Sequence, residues 1–525
     1  MAEAPATLAQ LAEDAQRRLG DRNTLLFEGR WHRSGELFER ACRLSGGLVS
    51  LGIAPGDRVA VVMTNSPEIS VCYSALWRAG AVVTPVVFLL SAAELRSILA
   101  DSGARAVLTS PELLPKVREA AEGADGVPEL RWIVVQDEVR EEVREEVRDE
   151  PSDARAEPGT IALSQLEAAA PGPIVPRTPS DLAALLYTGG TTGRAKGVML
   201  THDNLAFAAG ATRAASHVEF RNRSLVPLPL SHAFGLMVTI AGYYSDDPEG
   251  FTVLQRWFEP SSFLSLVQEH RIQSAPVVPS MLQALLAQPL ESYDLSSLES
   301  FGCGAAPAPV DVVREIEARI PSVTVREGYG CTETAAGLAV NPPDARRLGS
   351  VGRPLPGVEV RIVDDRDDEV AAGTPGEVCC RSRAVMAGYW GAPDLTEEAL
   401  RGGWFHTGDI GRLDEDGYLW IVDRKKDLII RGGFNVFPRD VEDALLEHPS
   451  VAAAGVVGRP DERMGEEVVA FVVPRPGVSV TAADVVEFAR TRLGGHRYPR
   501  DVRVVERLPL TAVGKLDRKT LRERV

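Results

Sequence analysis

The sequence predicts a mixed α/β protein: a large N-terminal domain of layered βαβ units followed by a small α+β domain of about 100 residues. Three observations predict it. Over residues 1–110, and again from Asp181 to about Asp423, apolar runs alternate with helix-length amphipathic segments, the pattern of parallel βαβ layers. After Arg424 the rhythm changes to shorter strands and helices. The total of 525 residues suffices for several compact units at roughly 100–200 residues each.

The elements follow in order. The opening MAEAPATLAQLAEDAQRRLG reads as acidic and helical, without the apolar core of a signal peptide. Ser34-Gly35-Glu36-Leu37 opens an amphipathic helix bearing Leu37, Cys42, Leu44 and Leu48. Gly56-Asp57-Arg58 leads into a strand over Val59–Met63, and a further helix precedes the strand-like Gly80–Val87. Residues 137–150, DEVREEVREEVRDE, repeat a tetrapeptide whose Glu and Arg pair at i,i+3 and i,i+4; they read as a solvated helix or surface insertion. Pro-rich connectors at 151–160 and 171–180 flank a short element. The C-terminal stretch shows strands at Leu428–Ile430, Val468–Val473 and Val502–Val505, and helices over Arg439–Glu447 and Ala482–Arg492. The charged stretch Asp423-Arg424-Lys425-Lys426-Asp427 marks the boundary, dividing 1–425 from 426–525.

Composition excludes several classes of function. With 57 Lys+Arg against 74 Asp+Glu the net charge is −17, and 44% of residues are hydrophobic and 25% charged, as in ordinary soluble globular proteins. A disordered chain, a collagen-like repeat and a disulfide scaffold are thereby excluded. The acidic balance argues against a nucleic-acid or anionic-membrane partner. The cysteines (Cys42, Cys72, Cys303, Cys331, Cys379 and Cys380) are sparse and lack C-x-x-C spacing, as expected for reduced thiols in a cytoplasmic protein. No apolar run approaches about 18 residues, so no transmembrane segment is expected.

One string stands out. The apolar strand Ala183–Tyr187 runs into Thr188-Gly189-Gly190-Thr191-Thr192-Gly193-Arg194-Ala195-Lys196-Gly197, followed by a helix starting at Thr201-His202-Asp203-Asn204-Leu205. Glycines let backbone N–H groups curl around an anion, threonine hydroxyls add donors, and Lys196 supplies a point charge suited to phosphate. The spacing is not that of a Walker A loop. Further segments carry chemistry of their own. In Pro227-Leu228-Pro229-Leu230-Ser231-His232-Ala233-Phe234-Gly235 the histidine suits a ligand wall or a core position equally, and no G-x-S-x-G elbow supports a Ser231–His232 hydrolytic dyad. Gly302-Cys303-Gly304-Ala305-Ala306-Pro307, read as a loop after Leu298–Phe301, is flat enough to admit a ring. Glu327-Gly328-Tyr329-Gly330-Cys331-Thr332-Glu333-Thr334 offers an aromatic face, a hydroxyl and a hard carboxylate suited to Mg2+. Asp409 in Gly403-Trp404-Phe405-His406-Thr407-Gly408-Asp409 is a carboxylate able to accept a ribose diol.

These motifs, in this order and at this spacing, resemble the adenylate-forming enzymes: acyl- and aryl-CoA synthetases, peptide-synthetase adenylation domains and beetle luciferases. The likeness runs from about Leu8 to Arg522. Gly189 and Ala195 stand where Ser and Pro are usual, as they do in fatty-acid–CoA ligases, the most similar branch. The resemblance implies a large domain of layered βαβ sheets with a small sheet or barrel subdomain, joined by a hinge at Lys426 to a mobile C-terminal domain. It implies that Thr188, Gly189, Gly190, Thr191, Thr192, Gly193 and Lys196 hold ATP phosphates. Gly304, Ala305, Ala306, Gly328, Tyr329 and Gly330 would form the adenine shelf, and Asp409 and Arg424 the ribose contacts. Thr332 and Glu333 would act at the phosphates, with Mg2+ on Glu333. Lys515, in Leu508-Pro509-Leu510-Thr511-Ala512-Val513-Gly514-Lys515, would be the lysine that holds the reacting carboxylate and α-phosphate. His232, Pro279, Gly302, Gly304, Ala335 and Leu338 would line the acyl pocket, and Gly433 and Phe434 the CoA tunnel.

The implied activity is ligation of a carboxylic acid, a fatty acid in first place and an aryl acid second, to CoA through acyl-AMP and pyrophosphate. ATP and CoA are the co-substrates. An acyl or peptidyl carrier protein is the alternative acceptor, which the Arg431–Pro438 segment disfavours. A silent adenylate-binding protein is disfavoured by the intact Lys196, Glu333, Asp409 and Lys515. No charged residue in the presumed acyl wall demands a dicarboxylate, and the polar Tyr243–Pro248 segment is expected to bear on that site's shape.

Overall fold

A computed structural model describes residues 6–122, 127–137, 158–188, 195–218, 221–510 and 516–525. The charged repeat beyond Asp137, the loop residues Gly189, Gly190, Thr191, Thr192 and Gly193, and Lys515 therefore lie outside the described residues. The chain divides into two compact units. One comprises Met1–Glu359 and Arg381–Gly403, the other Val360–Cys380 and Trp404–Val525. By compactness, the segments on either side of Gly403 thus part company before the charged stretch at 423–427 is reached.

The first unit holds two large sheets, as the alternating sequence predicts. The eight-stranded one runs Gly388–Tyr389, Lys196–Thr201, Leu182–Thr188, Val82–Pro85, Arg58–Val62, Ala106–Thr109, Trp132–Val135, Gly159–Ala162. From Leu182–Thr188 onward its strands are parallel. Val59, Ala60 and Val61 are wholly buried, as expected for a parallel strand covered on both faces. The nine-stranded sheet runs Arg353–Pro354, Ala339–Val340, Thr324–Tyr329, Ser300–Cys303, Ser274–Val277, Arg223–Val226, Phe251–Leu254, Asn23–Phe27, Arg30–Arg33, parallel through its central strands. Asn65, just past Arg58–Val62, ties the two together. Its amide donates to the carbonyls of Leu228 (2.8 Å) and Gln255 (3.0 Å) and accepts from Leu230 N–H at 2.9 Å.

Two sequence expectations shift in register. Gly302 and Cys303 belong to the strand Ser300–Cys303 rather than to the loop that follows. Lys196 opens a strand, Lys196–Thr201, antiparallel to Leu182–Thr188, so the Gly/Thr string joins the arms of a hairpin before the helix His202–Ser216 begins. That helix starts where expected because Thr201 caps it. Its hydroxyl accepts from Asn204 N–H at 3.1 Å while Asn204 Oδ1 accepts from Thr201 N–H at 2.9 Å.

The second unit holds a four-stranded sheet of Glu359–Val363, Gly376–Arg381, Phe405–Leu413 and Leu419–Arg424, and a five-stranded sheet. The latter orders Phe434–Val436, Ile429–Arg431, Gly465–Pro474 and Val451–Asp461, with Asp501–Val504 also paired to Gly465–Pro474. Helices Pro438–Leu446 and Ala482–Arg492 bury Val441, Leu445, Val485 and Ala489 against it. The strand Val451–Asp461 was not apparent in sequence: Ala452-Ala453-Ala454-Gly455 has little strand propensity, and the long pairing with Gly465–Pro474 decides its state.

Candidate functional site

Most predicted site residues of the first unit stand at or just beyond the carboxyl ends of parallel strands, where α/β sheets bind ligands. Val277 ends its strand and Pro279 opens the next helix; Cys303 is followed by Gly304, Ala305 and Ala306; Gly328 and Tyr329 end Thr324–Tyr329. A Cβ on Gly304 would lie 3.5 Å from the Gly328 carbonyl and 3.6 Å from the Phe234 ring, so the motifs around His232, Gly304 and Gly328 meet in one place. His232 caps the helix Ala233–Ala241, its Nδ1 accepting from Phe234 N–H at 3.4 Å. Ser231 Oγ is buried with no hydrogen-bond partner among the described residues, so the two are not a dyad.

The backbone is forced here. A side chain at Gly330 would run into the Ala336 carbonyl, and Ala305, Ala335 and Ala336 hold positive φ values of 69°, 50° and 67°. Non-glycine residues adopt that region at a cost and gather at functional sites. Ala335 and Leu338 are fully packed beneath the turn.

Lys196 and Glu333, far apart in sequence, meet through Tyr389. The Tyr389 hydroxyl donates to Glu333 Oε1 at 2.9 Å, and Lys196 Nζ lies 5.0 Å from the centre of the same ring. Burial first, and then the Glu333 carboxylate, raise the Tyr389 phenol above its ordinary range, so it stays a donor. Pairing of Gly388–Tyr389 with Met199 and Val198 brings the ring there, and Met386 N–H donates to the Glu333 carbonyl at 2.8 Å. Sequence reading missed Tyr389. The only signal was an aromatic pair set between Gly388 and Gly391.

Glu333 is half-buried with one oxygen already accepting a hydrogen bond. A single hard carboxylate beside a lysine suits Mg2+, which takes one or two protein carboxylates and completes its shell with phosphates and water.

In the second unit Asp409 and Arg424 are cross-strand partners, with Arg424 Nε 3.3 Å from Asp409 Oδ1. Asp409 is buried while half of the Arg424 side chain is exposed. The charged stretch that follows is anchored at both ends. Asp423 accepts from Arg424 N–H at 2.7 Å and from Arg439 N–H at 2.8 Å, capping the helix Pro438–Leu446. Asp427 accepts from Arg522 at 2.6 Å. Arg424 and Lys426 are exposed between these two buried carboxylates. Gly432 and Gly433, with φ of 59° and 80°, form the two-residue turn between Ile429–Arg431 and Phe434–Val436. Phe434 is exposed and stacks at 4.9 Å on His496.

Residues 11–390 match the family of AMP-binding enzymes, and residues 440–515 match the AMP-binding enzyme C-terminal domain. The chain belongs to the AMP-binding enzymes. It is an adenylate-forming acid–thiol ligase. Among its relatives are a feruloyl-CoA synthase from Amycolatopsis, 37% identical over 93% of each chain, and a long-chain-fatty-acid–CoA ligase from Bacillus subtilis, 32% identical over 98% of this chain and 94% of that one. The anthranilate CoA ligase AuaEII, solved with anthranoyl-AMP, superposes with a TM-score of 0.87 at 25% identity over 99% of this chain and 97% of that one. Among the described residues of this AMP-binding enzyme, no helix is long and apolar enough to cross a membrane.

Proposed function

We propose that this ligase activates a carboxylic acid with ATP and passes the acyl group to CoA. The observation that carries the reading is the meeting of Lys196 and Glu333 on Tyr389. A substrate carboxylate, already ionised at neutral pH, attacks the α-phosphorus of ATP; acyl-AMP forms and pyrophosphate leaves. No general base is needed, so the protein positions and neutralises. Lys196 and the amides of the Gly189–Gly193 loop hold the outgoing phosphates, with Thr188, Thr191 and Thr192 adding donors. The flat segments at Gly304–Ala306 and Gly328–Gly330 receive the adenine, Tyr329 stacking on it. Asp409 takes the ribose diol, Arg424 beside it.

Glu333 is the residue to hold Mg2+, which when bound would offset phosphate charge. Thr332 donates to the α-phosphate. Lys515 bridges carboxylate and α-phosphate. In the second step the CoA thiol attacks the acyl carbon, AMP leaves, and the thiol proton goes to solvent. We assign Lys426 as the pivot and Gly433 with Phe434 as the wall along which pantetheine passes; on this reading the parts that move are 1–425 and 426–525. His232, with Pro279, Gly302, Ala335 and Leu338, flanks the acid.

Lys515→Ala should lower adenylation, read as pyrophosphate release, by at least about 100-fold, while thioester formation from supplied acyl-AMP persists. Equal loss of both halves contradicts the two-stage reading. AMP release with a phosphopantetheinylated carrier but not with free CoA makes the carrier the acceptor. For the acid, the sequence leans to fatty acids, whereas the feruloyl and anthranilate relatives support an aryl acid.

A further inference from the structure

The central strands of the nine-stranded sheet present opposite chemistries on their two faces. Leu225, Val253, Ala275, Val277, Phe301 and Val325 pack into a closed apolar core. Among their alternates, Ser224, Thr252, Ser274, Pro276, Gly302 and Thr324 keep partial exposure, whereas Val226, Leu254 and Ser300 are buried. A methyl group on Gly302 would meet nothing within 4 Å. This face therefore borders open space below the strand ends where His232, Gly304 and Tyr329 stand.

On that face lies Arg326, in register with Gly302 and only 8% exposed. Its Nε donates to Ser300 Oγ at 3.1 Å and its Nη1 reaches the Ser216 carbonyl at 3.5 Å. Neither partner is charged, and no carboxylate pairs with it among the described residues. Nearby Arg221 is satisfied by Glu299 at 3.0 Å. Burial, with Arg221 adding repulsion and Asp344 only partly compensating, pulls the Arg326 guanidinium down to about 10. A guanidinium stays protonated even so, and a buried charge left with two neutral acceptors has donors to spare. Arg326 sits three residues before Tyr329, roughly 10 Å down the strand.

We propose that Arg326 is a specificity-determining residue that receives an acceptor oxygen at the far end of the acid, so that the substrate is an oxygen-bearing acid rather than a plain alkyl or aryl acid. The proposal rests on the acyl-ligase reading. It names the substrate class and leaves the chemistry of activation unchanged. Ser300 holds Nε and the Ser216 carbonyl engages Nη1, which leaves the Nη2 hydrogens to serve that oxygen.

The test uses paired acids matched in length, with and without a distal oxygen: cinnamate and 4-hydroxycinnamate for a neutral acceptor, octanoate and suberate for an anionic one. Pyrophosphate release by the full chain should favour the oxygenated member of at least one pair about tenfold to a hundredfold in kcat/KM, the range for a hydrogen bond to a charged donor. Which pair responds tells neutral acceptor from anion. Arg326→Met should erase that preference while activity on the plain acid stays within about threefold. Because methionine keeps the apolar length of the side chain and removes the cost of burying its charge, the variant should fold; Ser300→Ala, which should shrink the preference without abolishing it, is the second variant.

Equal use of both members by the wild type overturns the proposal, as does a preference that survives Arg326→Met. A uniform loss on all acids with a lowered urea midpoint would make Arg326 a mere cap for the helix ending at Ser216, and likewise overturns it. If no acid releases pyrophosphate, the ligase reading fails instead. Calorimetric binding of 4-hydroxycinnamate and suberate to wild type and Arg326→Met then decides the Arg326 site separately: no difference between the two proteins overturns it.

Discussion

The two faces of the nine-stranded sheet are built from the same strands and differ in almost everything else. One face is closed: Phe301 meets Phe263 at 6.2 Å between ring centres, and Val277, Phe301 and Leu282 are wholly buried. The other buries Val226 and Leu254 in places but leaves space beside Gly302, where the small and polar Ser274, Ser300 and Thr324 and the Arg326 guanidinium share the face. A strand alternates its side chains with a period of two, so a core and a binding wall need only a difference in the residues at odd and even positions. The closed side carries packing, and the proposal assigns selectivity to the other.

The comparison can be broken most forcefully at the closed face. Phe301→Ala should cost about 3–5 kcal/mol by loss of burial and a cavity, read as a lowered urea midpoint, and should leave the ranking of paired acids as it was. A changed ranking with unchanged stability would mean that the faces are not separate in function. On the open face Gly302→Leu should do the reverse. It should leave the urea midpoint near the wild type, because a Cβ there meets no atom within 4 Å and the side chain starts into open space, and lower kcat/KM for the longer acids at least about tenfold, since a filled pocket excludes by sterics at roughly 1–3 kcal/mol. Destabilisation without any change in acid use would show that the space is not where the acid lies.

The mildest contrast sets two buried bases side by side. His202 is 1% exposed and neutral: burial first, with Arg177 adding to it, pulls its imidazole down to about 4, and Nδ1 accepts from Leu8 N–H at 3.2 Å. Its need is met inside the protein, by docking the helix Leu8–Leu19, whereas that of Arg326 is not. The unfolded chain binds a proton at this histidine below about pH 6.5 and the folded chain only near 4. Stability from this group is therefore complete above pH 6.5 and declines as pH falls toward 4. The urea midpoint should fall over that window, and His202→Gln should flatten the decline while changing little at pH 8. An identical pH slope in the variant would remove His202 as the cause.

Motif residues were legible in sequence to very different degrees. The strand before Gly189, the capped helix after Thr201 and the helices near Arg439 and Ala482 follow from local periodicity and caps, and the structure has them within a residue or two. Tyr389 was not legible, because nothing local distinguishes it. Its place is set by antiparallel pairing of Gly388–Tyr389 with Met199 and Val198, almost 200 positions away. The buried ends of the charged stretch 423–427 were equally hidden, since Asp423 and Asp427 are satisfied by Arg439 and Arg522 from later elements.

By itself the sequence determined the family and the layered α/β plan, and it supplied the motif segments on which the proposed phosphate, adenine and ribose contacts rest. Each of these depends on short-range chemistry: a glycine's φ, a cap, an alternation of apolar residues. The tertiary structure alone decided which side chains meet across the sheet. Lys196 reaches Glu333 only through an aromatic ring supplied by a distant strand, and Arg326 acquires its meaning only when parallel register sets it against an empty glycine. Contacts of that kind arise from strand order and pairing, which bring together residues that no local pattern relates.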